Sequence, residues 1–263
     1  MTKELGIAIV KMQTYPMVIE IRTPTYVQSQ KGANIFVPLS LFDVIKFEKT
    51  AKRQIAIVRK GGFRFPTNAL NPVYQVASAL HRLAAGKIGV RILIQKNCPP
   101  HKGLGSWSSA SAGTLLALNK LWSLRLSERK LSEIANKMDP SIAKILKIHL
   151  KNPKSKKSDP KKWAIVVTPK LIEIDRNWIQ KLTSKPGTSP EIIAENHFPD
   201  LRMIRKSLTK TGWKGVNMSR LGPAVIGFSK KKIGMTKIPK KIRSKLDFIW
   251  IGKACDGQFK LID

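Results

Sequence analysis

A strand, a glycine-containing loop and a helix follow one another in the middle of the chain, and this segment constrains the fold most. Gly89–Lys96 is a β-branched, apolar run that predicts a strand. From Ser108 onward, apolar residues recur at steps of three and four, which predicts a helix. The loop between them carries Gly103 and Gly105, at a spacing unlike that of a Walker loop or a dinucleotide fingerprint. Helix N-termini bind phosphate, so the segment fits a phosphate site and a simple capped helix equally well.

Charge is the unusual property of the composition. The 263 residues suffice for one large domain or two small ones. With 49 Lys+Arg against 16 Asp+Glu, the net charge is +33, which favours polyanionic partners such as nucleic acid and opposes self-association. The basic residues are spread along the whole sequence, however, so charge alone identifies no binding arm.

Other features of the sequence favour a cytoplasmic protein without a membrane segment. No apolar run approaches the length of a membrane span, and Leu5–Val10 is too short for a signal peptide. Cys98 and Cys255 lie far apart and have no metal-ligand spacing. The sequence leaves the oligomeric state open.

Two lobes are predicted, 1–152 and 160–263, separated by the basic, proline-containing connector Lys151–Lys162. Strands are predicted at Leu5–Val10, Met17–Arg22, Ile35–Val37, Phe42–Phe47, Gln54–Arg59, Trp163–Thr168, Gly215–Met218, Ala224–Phe228, Phe248–Gly252 and Gln258–Ile262, with Thr23–Tyr26 as a break. Further helices are predicted over 71–86, 127–137, 141–150, 175–182 and 198–212.

The central segment resembles the glycine–serine loop of the GHMP small-molecule kinases. Among them it is most similar to the 4-diphosphocytidyl-2-C-methyl-D-erythritol kinases. The matching residues are Lys96, Pro99, Gly103, Leu104, Gly105, Ser108 and Ser109, with the helix that follows. Three more segments resemble the family in the same order along the chain: 71–77, 126–131 and 196–225, the last containing Asn217-Met218-Ser219 and Gly222-Pro223-Ala224-Val225.

The resemblance implies an α+β fold, with a ribosomal-protein-S5-like N-terminal lobe and a ferredoxin-like C-terminal lobe. It implies a kinase of non-mevalonate isoprenoid biosynthesis that transfers a phosphoryl group from ATP, with Mg²⁺, to a small-molecule alcohol. It places Lys96 and Asn71 near the adenine and Ser108 near the metal. The phosphates would lie at the loop of Gly103, Leu104, Gly105, Ser106, Ser108 and Ser109.

Several functional positions of that family are substituted here. The family's catalytic aspartate falls on Ser141; Asp139 is the candidate base, and also simply the residue that ends a helix before Pro140. Tyr26 stands where the family has a lysine, and Asn34 ends the stretch that corresponds to the family's cytosine-reading Gly-Tyr-His. We treat Tyr26 and Asn34 as candidate substrate contacts.

The loop itself is also altered, because His101, Lys102, Ser106 and Trp107 replace small residues. These substitutions leave two alternatives to an active kinase. One is a catalytically impaired pseudokinase that serves as a binding module. The other is a basic nucleic-acid-binding protein.

Overall fold

The structure of the protein, a computed structural model, describes residues 18–29, 35–85, 88–150, 162–170, 190–219, 222–255 and 260–262. The strand predicted at Leu5–Val10, the helix predicted over 175–182, most of the connector and Asn34 lie outside these residues.

Nine strands of the described residues form two sheets. They are β1 (Val18–Ser29), β2 (Ile35–Thr50), β3 (Ile55–Gly62), β4 (Gly89–Lys96), β5 (Trp163–Pro169), β6 (Lys214–Met218), β7 (Val225–Ser229), β8 (Leu246–Lys253) and β9 (Lys260–Ile262). The first sheet has the order β3-β4-β2-β1-β9 and the second the order β6-β7-β5-β8. Every pairing is antiparallel except that of β3 with β4. The last strand therefore returns to the first sheet.

Seven α-helices and a short 3₁₀ turn, Met235–Lys237, complete the described part. The helices are α1 (Pro72–Leu83), α2 (Ser106–Leu121), α3 (Glu128–Met138), α4 (Pro140–Leu150), α5 (Pro190–His197), α6 (Pro199–Lys210) and α7 (Lys240–Arg243). Their starts follow local rules: proline occupies the first position of α1 and α6, and the Ser127 hydroxyl accepts the Lys130 N–H at the start of α3.

Some boundaries differ from those that the sequence predicts. Thr23–Tyr26 does not break β1, because a register shift between Pro24 and Thr25 accommodates the proline within the strand. The two short strands predicted between residues 35 and 47 are one strand, β2. The helix predicted from Ser108 begins two residues earlier, at Ser106. Helix α5 was not predicted.

Three apolar clusters hold these elements together. The largest lies between the first sheet and α1–α4. On β5 the side chains alternate, since Ile165 and Val167 pack with the helices that cover the second sheet. Ala164 and Val166 instead pack with Leu39 of β2 and with Leu104 of the loop before α2. This third cluster lies between the first sheet with α1–α4, called the first lobe below, and the second sheet with α5–α7, called the second lobe. The loop before α2 is part of that junction.

In the part of the chain described here, no helix is long and apolar enough to cross a membrane.

Candidate functional site

The loop that precedes α2 has the backbone geometry of an anion cradle. Gly105, at the N-cap, is left-handed with φ 60° and ψ 11°, and no side chain caps the helix. Gly103 has φ 72°. Glycine tolerates this region at little cost, whereas a side chain there is strained. The first backbone N–H groups of α2, a helix of 16 residues, therefore have no side-chain cap as an acceptor. An anionic ligand can supply the missing acceptors.

A buried ion pair fixes the start of this helix. Lys96, at the end of β4, is 0% exposed, and its ammonium pairs with the carboxylate of Asp43, which is 1% exposed. The same Nζ donates a hydrogen bond of 2.6 Å to Oγ of Ser106, the first residue of α2. The other Asp43 oxygen accepts the N–H groups of Asn97 and Cys98 at 2.9 and 3.0 Å. One carboxylate therefore holds the end of β4, and through Lys96 it holds α2 as well.

Strand register explains why these two charges meet. Along β2, the side chains of Leu41, Asp43 and Ile45 are buried in alternation with partly exposed ones. The antiparallel register that pairs Val44 with Gln95 brings Asp43 beside the end of β4. Asp43 was not singled out from the sequence. Its signal was present, however, because it is a carboxylate on the buried face of an apolar strand, and such a charge requires a partner.

Trp107, in the first turn of α2, belongs to the same cluster. Its ring meets Phe65 edge to face, with ring centroids 5.6 Å apart. The Lys96 ammonium lies over the indole, 4.5 Å from the ring centroid, a distance at which a cation is attracted to the ring face. The bulky residue that replaces a small one in this loop thus encloses the buried ammonium.

The loop is also bonded to the second lobe. The Ser219 hydroxyl donates 2.8 Å to the carbonyl of Gly103, and the Ala224 N–H donates 3.2 Å to the carbonyl of Lys102. A Cβ on Gly103 would lie 2.6 Å from the Ser219 Oγ and 2.8 Å from the Gly222 nitrogen. The two segments that resemble the kinase family, one from each lobe, are therefore in direct contact.

Lys102 forms a second lysine–aspartate pair beside the loop. Its Nζ lies 3.3 Å from an oxygen of Asp247, at the start of β8. The other Asp247 oxygen accepts the Thr168 hydroxyl. The Lys102 side chain is 13% exposed and that of Asp247 is 38% exposed, so the pair lies near the surface. The sequence contains no pattern that links residues 102, 168 and 247, because only the packing of the lobes brings them together.

Other predicted site residues make hydrogen bonds at helix ends. Asn71 is fully buried; its Oδ1 accepts the Val73 N–H at 2.8 Å and its Nδ2 donates 2.7 Å to the Pro66 carbonyl. Asp139 lies between α3 and α4, and its Oδ1 accepts the Ser141 N–H at 2.7 Å.

Two further predicted site residues, Tyr26 and Ser108, lie in β1 and in α2. Tyr26 lies in β1, opposite Pro38 of β2. Ser108 is half-buried in the first turn of α2. Within the described residues, no three or more His, Cys, Asp or Glu side chains form a group suited to a metal ion. A magnesium ion that arrives with a nucleotide needs only one or two protein oxygens, because phosphates and water complete its shell.

Comparisons with known proteins agree with this geometry. The family model described as GHMP kinases N terminal domain matches residues 71–145, a range that contains the loop, α2 and Asp139. A homoserine kinase from Cytophaga hutchinsonii superimposes with a TM-score of 0.74, at 15% identity, over 96% of this chain and 100% of that one. The chain has the GHMP kinase fold.

Proteins similar in sequence to this chain include 4-diphosphocytidyl-2-C-methyl-D-erythritol kinases. The protein of that name from Levilactobacillus brevis is 26% identical, over 82% of this chain and 89% of the relative. A solved 4-(cytidine 5'-diphospho)-2C-methyl-D-erythritol kinase has a TM-score of 0.62 at 20% identity, over 91% of this chain and 98% of that one. The resemblance inferred from four sequence segments thus extends over most of the chain.

Neutralising Asp43 will destabilise the protein. Asp43→Asn keeps an oxygen for the backbone N–H groups but leaves the buried Lys96 ammonium without its counter-charge, a loss of about 3–5 kcal/mol. Urea unfolding measures the change. The double variant Asp43→Asn/Lys96→Met removes both charges and should recover part of the loss, whereas a double variant less stable than Asp43→Asn would contradict the ion pair as the cause.

Gly103→Ala and Gly215→Ala form a matched pair for the contact between loop and second lobe. Both glycines have positive φ, 72° and 57°, but a Cβ on Gly215 meets no atom within 4 Å. Gly215→Ala should therefore cost only the backbone strain, about 1 kcal/mol. Gly103→Ala adds overpacking against Ser219 and Gly222, about 1–3 kcal/mol more. Equal midpoints of thermal unfolding in the two variants would show that this contact is not tight.

Replacing Asn71 tests its role as the cap of α1. Asn71→Ala should lower stability by about 0.5–2 kcal/mol because α1 loses its cap. Asn71→Ser keeps a side-chain oxygen for the Val73 N–H and buries no charge, so its loss should be smaller. Denaturant unfolding of the three proteins tests this order.

Proposed function

We propose that the protein is a GHMP-type kinase that transfers a phosphoryl group from Mg-ATP to the hydroxyl of a small alcohol. The observation that carries the proposal is the N-terminus of α2, which has no side-chain cap and follows a loop with two left-handed glycines. It lies within the part of the chain that matches the GHMP kinase N-terminal domain. The first candidate acceptor is 4-diphosphocytidyl-2-C-methyl-D-erythritol, because curated relatives along most of the chain bear that kinase's name.

Residues of the loop and of α2 have separate roles in this proposal. The N–H groups of the first turn of α2 bind the phosphates, and the half-exposed Ser108 hydroxyl lies where phosphate and metal would meet. Lys96 holds Ser106 in place rather than contacting the nucleotide, since its ammonium is buried and paired. ATP supplies the transferred group, and Mg²⁺ neutralises its charge.

Asp139 is the proposed base for the acceptor hydroxyl. Among the hydrogen bonds of the described residues, Asp139 accepts one side-chain bond, from Ser141 to Oδ1, and Oδ2 remains for a proton. Helix α4, which follows directly, packs on α2 through Ile145 and Leu146 of the first apolar cluster. Asp139 is thus attached to a helix that packs on the one carrying the phosphate loop. A positioned base contributes about 10²–10⁴ in rate.

A binding module without kinase activity is the second candidate. It is favoured by Ser141, which stands where the resemblance places the catalytic aspartate. It is also favoured by the internal bonds that occupy Lys96 and Asn71, two of the residues expected at the adenine.

The experiment measures Mg-ATP binding by calorimetry and ADP formation with 4-diphosphocytidyl-2-C-methyl-D-erythritol in the intact protein. Asp139→Asn keeps an oxygen for the Ser141 N–H, so the fold should persist, while turnover should fall about 10²–10⁴-fold at unchanged ATP affinity. Glu128→Gln, on the exposed side of α3, is the control of equal charge change and should leave turnover unaltered.

The outcomes separate the two candidates. ATP binding with turnover that depends on Asp139 supports the kinase. ATP binding without turnover supports the binding module. Failure to bind ATP would contradict the phosphate site itself, and with it both candidates.

A further inference from the structure

A groove on the outside of the second lobe combines an apolar floor with a basic rim. It has a volume of about 500 Å³ and lies between α6 and the segment that contains α7. Met203 and Ile242 contribute to the floor, together with two prolines. The charged side chains that line it are all cations: Arg202, Lys206, Lys210 and Lys241. A groove bordered only by positive charge is complementary to a chain of negative charges.

Three of these cations form one stripe. Arg202, Lys206 and Lys210 are each four residues apart on α6 and are all exposed, while Leu201, Ile204 and Leu208 bury the opposite face. With a rise of 1.5 Å per residue, successive members of the stripe are about 6 Å apart along the helix axis. That spacing is close to the distance between successive phosphates of an extended nucleic-acid strand.

Most of this charge is not neutralised by the protein. Arg202 contacts Glu195 at 3.3 Å and Asn196 at 2.9 Å. Nearby carboxylates are shared with other cations: Glu195 also pairs with Arg205 at 2.6 Å, and Asp200 with Lys245 at 3.0 Å. Lys206, Lys210 and Lys241 have no ion pair within the residues that the structure describes. Among the residues that the structure describes, a polyanion would therefore find three lysines without a competing carboxylate.

We propose that this groove binds the phosphate backbone of single-stranded nucleic acid. The spacing of the stripe matches one strand, and the floor of Met203 and Ile242 can cover the apolar faces of sugar and base. No aromatic ring lines the groove, so base stacking is not available to select a sequence. Binding is consequently insensitive to sequence and sensitive to salt, because each neutralised phosphate releases counterions.

This surface is separate from the proposed kinase site. Leu201, Ile204 and Leu208 of α6 pack on the face of β5 that carries Ile165 and Val167. The loop before α2 packs, through Leu104, on the opposite face of the second sheet. Nucleic-acid binding at the groove is therefore a property additional to phosphoryl transfer. A variant that loses one of the two activities can still be tested for the other.

The test uses the intact protein and a fluorescein-labelled oligouridine of about 12 nucleotides, measured by fluorescence anisotropy between about 50 and 200 mM KCl. Four phosphate contacts predict a slope of log K against log salt of about −3, which corresponds to a loss of about 50-fold over this range. The triple variant Lys206→Gln/Lys210→Gln/Lys241→Gln leaves one phosphate contact. Its affinity should therefore fall only about 3-fold over the same salt range. Its affinity at the lowest salt should also fall.

The matched control is Lys52→Gln/Lys60→Gln/Lys137→Gln. It removes the same charge from exposed positions of the first lobe and should retain the wild-type slope. Equal effects of the two triple variants would overturn the groove as the site, as would failure of the wild-type protein to bind the oligonucleotide at the lowest salt. Competition by poly-L-glutamate as strong as that by unlabelled oligouridine at equal charge concentration would overturn nucleic acid as the occupant. An unchanged midpoint of thermal unfolding in the groove variant confirms that it is folded, whether or not the protein binds ATP.

Discussion

One buried charge pair supports the arrangement of the candidate site. Lys96 and Asp43 are almost completely shielded from water. Two opposite charges that are buried in this way are stable only if further hydrogen bonds satisfy them. Ser106, Asn97 and Cys98 provide those bonds. The pair therefore does more than stabilise the first sheet. It determines where α2 begins, two residues before the point at which apolar periodicity becomes visible, and hence the direction in which its first N–H groups point.

The fold was largely predictable because its helices and strands follow local patterns. The apolar periodicity of α1, α2 and α6 and the β-branched run of β4 agree with the structure to within a few residues. The errors have physical causes. In the sequence of β1 alone, the proline at position 24 indicates a break in the strand. In the structure, a bulge in the pairing with β2 accommodates this proline. Similarly, β2 looks like two strands because Pro38 interrupts its pattern near the junction with the second lobe.

Less of the candidate site could be predicted, because its contacts join residues that are distant in sequence. The glycines of the loop and the cap at Asn71 are local features and were recognised. The Gly103–Ser219 bond spans 116 positions and the Lys102–Asp247 pair spans 145, so neither follows from spacing. Asp43 was partly predictable. Its position on the buried face of a strand indicates that it needs a partner of opposite charge, but only the register of β2 and β4 identifies that partner as Lys96.

The return of the last strand to the first sheet affects how the chain is made. Pairing of β9 joins Glu20 with Ile262 and Arg22 with Lys260. During synthesis, β1 leaves the ribosome long before β9 exists, so that edge of the sheet keeps free backbone donors and acceptors until β9 has been made. Unpaired edges are sites of intermolecular association. The high positive charge of the protein, which repels other copies of itself, can protect the nascent chain during that interval.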